Sequence, residues 1–253
     1  MLKYPINDST TSIRVFKAKV ILDLGMVKKA LIRDNFYEDI FLEHFMIKLK
    51  EEKFLMAENK KTITDVRSSC IYFTKPGKEN TQPTLDAAFK RAEEAGVDQI
   101  IIASTSGETG LEAARMFQGK KVVVVSHSTG FIKPDFQQMK AEYRRLIEES
   151  GARIVTCQHA LGGVGRAVRK KFKTYQLEEI IAATLRLFGQ GTKVAVEIAL
   201  MAADAGLVTT QALCVSIGGT NDGADTALLL KPAHAQDFFD LKIMEFIAKP
   251  RDW

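Results

Sequence analysis

Hydroxyl side chains, glycines and histidines are set at the ends of short apolar runs along this chain of 253 residues. The densest example is Gln99-Ile-Ile-Ile-Ala-Ser-Thr-Ser-Gly-Glu-Thr-Gly-Leu111. A β-branched run from Ile100 to Ala103 suits a strand covered on both faces, and a helix is expected from about Leu111. The turn between them carries Ser104, Thr105, Ser106, Gly107 and Thr109. Free backbone N–H groups and the positive end of the helix dipole meet at such a turn, which suits a phosphate or carboxylate. An ordinary strand-to-helix connection with a Ser or Thr cap is the plainer alternative.

Other apolar runs end in similar chemistry. Ser69–Phe73 leads into Lys75, Gly77 and Asn80; Lys121–Val125 leads into His127, Thr129 and Gly130; Arg153–Thr156 leads into His159. Ala212–Ile217 runs into Gly218, Gly219 and Thr220, followed by Asp225 and Thr226. Asp225 and Thr226 could be ligand contacts or turn formers. Lys75 and His127 are the two weak catalytic candidates, Lys75 to neutralise ligand charge and His127 to stand nearest any chemistry. His127, His159 and His234 could in principle share a zinc ion. No close metal-ligand spacing supports that, and no metal is assigned. Gly162-Gly-Val-Gly165 lacks the spacing of a dinucleotide fingerprint and reads as a loop-to-helix turn, and no phosphate-binding P-loop motif is present.

The elements that must position these residues alternate. A helix with Pro83 in its first turn closes at Gly96, Leu111–Phe117 closes at Gly119, and Pro134–Ser150 closes at Gly151. Leu161–Lys170, Leu177–Phe188 and Thr192–Ala205 then follow without a strand between them. Thr192–Ala205 is apolar almost all round and belongs against the sheet. Glu197 and Asp204 interrupt it, seven residues apart. Either a buried carboxylate there is left protonated, or Glu197 pairs with a lysine or caps a loop while Asp204 sits at the exposed end. Thr226–Leu230 is a further strand and Ile243–Ala248 a short edge strand. Such alternation implies a mostly parallel sheet with helices on both faces, whose ligands bind beyond the carboxyl ends of the strands. The polar loops should therefore converge on one rim. His234 could sit at either end of the sheet.

Composition sets the remaining bounds. Net charge is +5 with a pI near 9.0, but basic and acidic residues are interspersed. The longest basic run, Arg166 to Lys173, reads as a solvated helix face, so no nucleic-acid partner is expected. Cys70, Cys157 and Cys214 make no CxxC pair and read as reduced core thiols, pointing to the cytoplasm. No apolar run is long enough to span a bilayer, and no membrane partner is expected. Residues 1–65 form an N-terminal extension before an α/β domain over 66–253. Within the extension, Asp34–Met56 could be a helix. Met56 reads as the true start, with a helical arm docked on a partner subunit as the competing view. A homo-oligomer stays open.

Lys75-Pro-Gly-Lys-Glu-Asn-Thr81, Ala103-Ser-Thr-Ser-Gly-Glu-Thr109, Val125-Ser-His-Ser-Thr-Gly-Phe131, Gly218-Gly-Thr-Asn-Asp-Gly-Ala-Asp-Thr226 and Pro232-Ala-His234 together resemble the pyruvate kinase C-terminal-domain-like, or pyruvate kinase alpha/beta domain, family. The resemblance covers about Ser69 to Arg251. It implies a three-layer α/β/α sandwich around a mostly parallel mixed sheet of five strands or slightly more. In pyruvate kinase the corresponding domain is regulatory and binds a sugar bisphosphate at a Ser/Thr-rich turn. The kinase's catalytic barrel has no counterpart here, so pyruvate kinase activity is not implied. Free-standing members hold flavin mononucleotide (FMN) by the same resemblance, and FMN is the expected cofactor. The expected function is binding of a phosphorylated small molecule, in a flavin-dependent or phosphosugar-processing enzyme or in a metabolite sensor without catalysis.

Overall fold

The computed structural model describes residues 65–252. The chain divides between Val66 and Arg67, and the described fold belongs to the second unit. The readings of Met56 as a start and of Asp34–Met56 as a helix fall outside the described residues. Among those described, no helix is long and apolar enough to cross a membrane.

Seven strands form one sheet in the order β1-β7-β6-β5-β2-β3-β4. They are β1 (Ile71–Phe73), β2 (Gln99–Ala103), β3 (Lys121–Ser126), β4 (Arg153–Thr156), β5 (Cys214–Gly218), β6 (Thr226–Lys231) and β7 (Lys242–Pro250). All neighbours pair in parallel except where β6 meets β5 and β7, so β6 alone runs against the rest. The helices are α1 (Thr81–Glu94), α2 (Glu108–Met116), α3 (Ala141–Glu149), α4 (Gly163–Phe172), α5 (Leu177–Arg186) and α6 (Gln190–Asp204).

Side-chain alternation sorts the core into two layers. Ile100, Ile102, Val122, Val124, Val215 and Ile217 pack with Leu85, Ala88, Leu111, Phe117 and Ile147 of the helical face built by α1, α2 and α3. Ile101, Val123, Val125, Val155, Leu228 and Leu230 face the other way, onto Ala195, Val196, Ala199 and Ala202 of α6. The near-continuous apolar character of α6 is thus accounted for: one side meets the sheet, and Leu200 meets Leu161 and Ala182 of the outer α4–α5 region. The architecture is the expected α/β/α sandwich, with seven strands.

Two sequence expectations need correction. The helix expected over Pro134–Ser150 is confined to Ala141–Glu149. Its first half is a loop because Asp135 takes a left-handed backbone (φ 58°) and the Gln137 and Gln138 side chains turn back to His127. The last strand is not at the edge either. β7 is nine residues long and lies between β6 and β1, so its hydrogen-bonding edges are both used. The direction of β6 also places His234, which follows it, at the end of the sheet opposite the carboxyl ends of β2 and β5. There His234 Nδ1 lies 3.3 Å from Asp204 Oδ1.

Candidate functional site

The chain runs outward from β2 through β3 to β4, then returns through α4, α5 and α6 to place β5 on the other side of β2. That reversal opens a crevice between the loops leaving β2 and β5. A cavity of about 440 Å³ occupies it, within the size range of small-molecule sites. Ser104, Thr105, Ser106, Glu108 and Thr109 line one side, and Gly219, Asn221, Asp222 and Gly223 the other. His127 and Phe131 arrive from the loop after β3, and Gln190 and Val194 from α6.

The β2–α2 turn is built for close approach. Ser104 Oγ accepts the Gly110 N–H at 3.0 Å, holding the helix start against the strand end. A methyl group at Gly110 would come within 2.7 Å of Val124 Cγ1, so only glycine lets α2 sit this near β3. Gly107, at φ 100°, makes the turn itself, and a Cβ there would stand 2.5 Å from Tyr143 Cβ. The backbone N–H groups of Thr105, Ser106, Gly107 and Thr109 find no acceptor among the described residues. α2 begins at Glu108, three residues earlier than the apolar pattern indicates, so these donors belong to its capping turn.

The structure brings Ser104, Thr105, Ser106, Thr109, His127 and Gly219 of the sequence candidates onto the cavity wall. The other sequence candidates do not line it and serve the loops around it or stand apart. Asp225 is fully buried and its carboxylate ties three segments: it accepts from Gly77 N (3.3 Å), Thr220 N (3.1 Å) and Thr226 Oγ1 (2.8 Å). Of the two sequence readings, the turn-former role is the one these bonds describe. Gly218 ends β5 so close to α6 that a Cβ would meet Gly191 O at 2.6 Å. Asn80 is buried and donates to Lys75 O, while Gly107 lies behind the turn against α3. Thr129 accepts a long hydrogen bond from Gln137, and Gly130 forms the bend beside it. Lys75 is exposed and ion-paired with Glu79 at 3.0 Å, away from the cavity lining.

The charges that do line the crevice come from elsewhere. Lys78 reaches it but is bound to Glu108 at 2.8 Å, and this partner holds the Glu108 carboxyl below its ordinary range. A deeper chamber of about 180 Å³ shares the wall of Ala103, Ser104, Thr105, His127, Phe131, Gln190 and Val194. It adds Arg166 from α4, Arg186 from α5 and Lys193 from α6, set against the single carboxylate Glu197. Arg166 stands 4.8 Å from the centre of the Phe131 ring, and Arg186 Nε donates to Gln190 Oε1. The basic run that reads as a solvated face therefore turns one of its cations inward. Only the crossover geometry reveals this, because α4 and α5 meet the site from outside the strand-end loops.

Glu197 is the best-connected group in the chamber. Oε1 accepts the Leu161 N–H at 2.9 Å, Oε2 accepts from Lys193 Nζ, and His159 Nδ1 lies 3.6 Å from Oε2, at ion-pair range. Burial alone would raise the pKa of this carboxyl, but His159 and Lys193 outweigh it and hold the pKa of Glu197 down at about 2. The same burial lowers the Lys193 ammonium, though Glu197 resists it. The sequence alternative of a protonated carboxyl is thus replaced by the paired one, and Asp204 sits at the exposed end as that reading holds. Burial likewise pushes the His127 imidazole below its ordinary range, despite its hydrogen bond to Gln138 at 2.9 Å. His127, Phe131 and His159 form a ring cluster, with Phe131 and His159 stacked 5.0 Å apart. With His234 at the other end of the sheet, the three histidines do not converge on one ion.

A family model described as pyruvate kinase, alpha/beta domain, matches residues 82–230. The chain belongs to that family. The match spans α1 to the end of β6, so the whole cavity wall apart from Lys78 lies within this pyruvate kinase alpha/beta domain. The Lys75–Asn80 loop and β7 lie outside the matched span and complete the fold of this member.

Proposed function

We propose that the rim cavity binds a small phosphorylated molecule, its phosphate seated on the Ser104–Thr109 turn. The observation that carries this reading is the set of unclaimed N–H groups at the start of α2, opening onto a cavity at the sheet's switch point. Arg166 and Arg186 add positive charge close by. FMN is the first occupant to test. Ser104, Thr105, Ser106 and Thr109 would hold its phosphate, and Phe131 and Val194 supply apolar surface for a ring. When bound, such a group supplies hydride or electron transfer. A phosphosugar is the second occupant, favoured by the polar His159, Lys193 and Glu197 beside the cavity, which a flavin ring does not need. The site is proposed to work in the cytoplasm, in keeping with three free thiols.

Ser106→Asp tests the phosphate seat by placing a carboxylate where the ligand's charge would go. Calorimetric titration of the full chain with FMN and with ribose 5-phosphate should show saturable binding of at least one of them. The variant should lose at least about tenfold in affinity, equivalent to about 1.4 kcal/mol, with its circular dichroism unchanged. Binding of neither compound, or equal binding by the variant, would contradict the proposal. Yellow protein that bleaches and turns over with a reductant supports an enzyme, and binding without turnover supports a sensor.

A further inference from the structure

We propose that His159 is a general base acting on a phosphorylated carbonyl compound, with Glu197 and Lys193 as its positioning residues. The inference rests on the rim reading in its phosphosugar form. His159 lines the deeper chamber, which opens beside the phosphate seat. Its Nδ1 is turned to Glu197, and this neighbour favours the proton on that nitrogen. Nε2 is then left with a free lone pair, and it is buried with no hydrogen-bond partner among the described residues. Uncompensated polar atoms in a protein interior are costly, so an unpartnered imidazole nitrogen on a residue that lines the chamber points to a group supplied by the ligand.

The surroundings favour proton transfer over a purely structural contact. A buried Lys–Glu pair is seldom more stable than an apolar one of the same shape, yet here it occupies the core side of α6 directly behind His159. Glu197 can stabilise an imidazolium, and the lysine keeps that carboxylate ionised. Phe131 stacks on His159 and shields it from water. The groups facing His159 are His127 from the β3 loop, Arg166 from α4, Arg186 from α5, and Lys193 with Glu197 from α6. In the step, the C–H bond beside the carbonyl breaks and its proton goes to Nε2. The electron pair moves onto the carbonyl oxygen, giving an enolate that the guanidinium groups of Arg166 and Arg186 can hold. Returning the proton to carbon restores the carbonyl compound, so no oxidant, reductant or second substrate is required.

The test uses the full chain with dihydroxyacetone phosphate in D₂O, followed by proton NMR. Deuterium should enter the carbon beside the carbonyl faster than in buffer alone. His159→Gln, purified identically, should lower that rate at least ~100-fold while still broadening the probe's signals by binding. Glu197→Gln should shift the His159 tautomer, read from its ring ¹⁵N signals, and slow deuterium entry with it; a shifted tautomer with an unchanged exchange rate would overturn the positioning role of Glu197. Broadening without deuterium entry, or equal entry with His159→Gln, would overturn the inference alone. No broadening by this probe, by FMN or by ribose 5-phosphate would overturn the rim reading and the inference with it.

Discussion

Glu197→Ala is expected to lower the stability of the domain by about 3–5 kcal/mol. The carboxylate is 3% exposed, and its removal leaves the Lys193 ammonium buried without a counter-charge. It also strips the Leu161 N–H of its acceptor, which frees the loop that carries His159. Urea denaturation compared with wild type measures the loss. Replacing both partners, Lys193→Met with Glu197→Leu, should restore much of it, because the cost comes chiefly from the stranded charge. The same group sets a pH dependence. Its folded-state value, about 2, lies below the ordinary carboxyl value of 4.5. A depressed acid contributes its full stability above the unfolded value and loses it as pH falls toward the folded one. Stability should therefore decline between about pH 4.5 and 2, and that decline should be flatter in the double variant.

Asp225→Ala is the second large effect, about 3–5 kcal/mol from three lost hydrogen bonds to a buried carboxylate. Its consequences differ from those of Glu197. Gly77 belongs to the loop after β1 and Thr220 to the loop after β5, so one side chain holds together two walls of the rim. Asp225→Asn keeps an acceptor oxygen but loses the charge, and should recover part of the stability. Thermal unfolding gives the ranking: wild type above Asn, and Asn above Ala. Ligand affinity should fall along the same series, because Gly219, Asn221 and Gly223 line the cavity on the loop that Asp225 anchors.

What the sequence makes legible is the part governed by local pattern. The β-branched runs at Ile100 and Val122 and the glycine stops at Gly96, Gly119 and Gly151 mark elements whose two-layer packing follows from alternation. The helix Thr192–Ala205 could be placed against the sheet because almost no polar face remains to meet water. The rim itself was legible too, since parallel strands deliver their trailing loops to one end. Three things were not. Strand order is a matter of long-range pairing, so the inner position of β7 leaves no local trace. The loop over residues 134–140 has helix-like spacing, and only the side-chain bonds of Gln137 and Gln138 to His127 override it. The cations of the deeper chamber come from the crossover helices, where Arg166 and Arg186 look like any surface arginine until α4 and α5 are folded back. Lys75 shows the converse: its place at the end of a strand suggested a ligand contact, while Glu79 one turn on gives it a nearer partner.

In the proposed function, the turn leaving β2 grips a phosphate through its own backbone. Amide hydrogen exchange, followed by mass spectrometry on the full chain with and without saturating FMN or ribose 5-phosphate, measures those N–H groups directly. Exchange should slow in the peptide covering Thr105–Leu111 and in the one covering Gly219–Gly223, with little change around Lys231–His234 at the opposite end. Unaltered exchange at Thr105–Leu111 when a ligand is demonstrably bound would contradict the proposed grip.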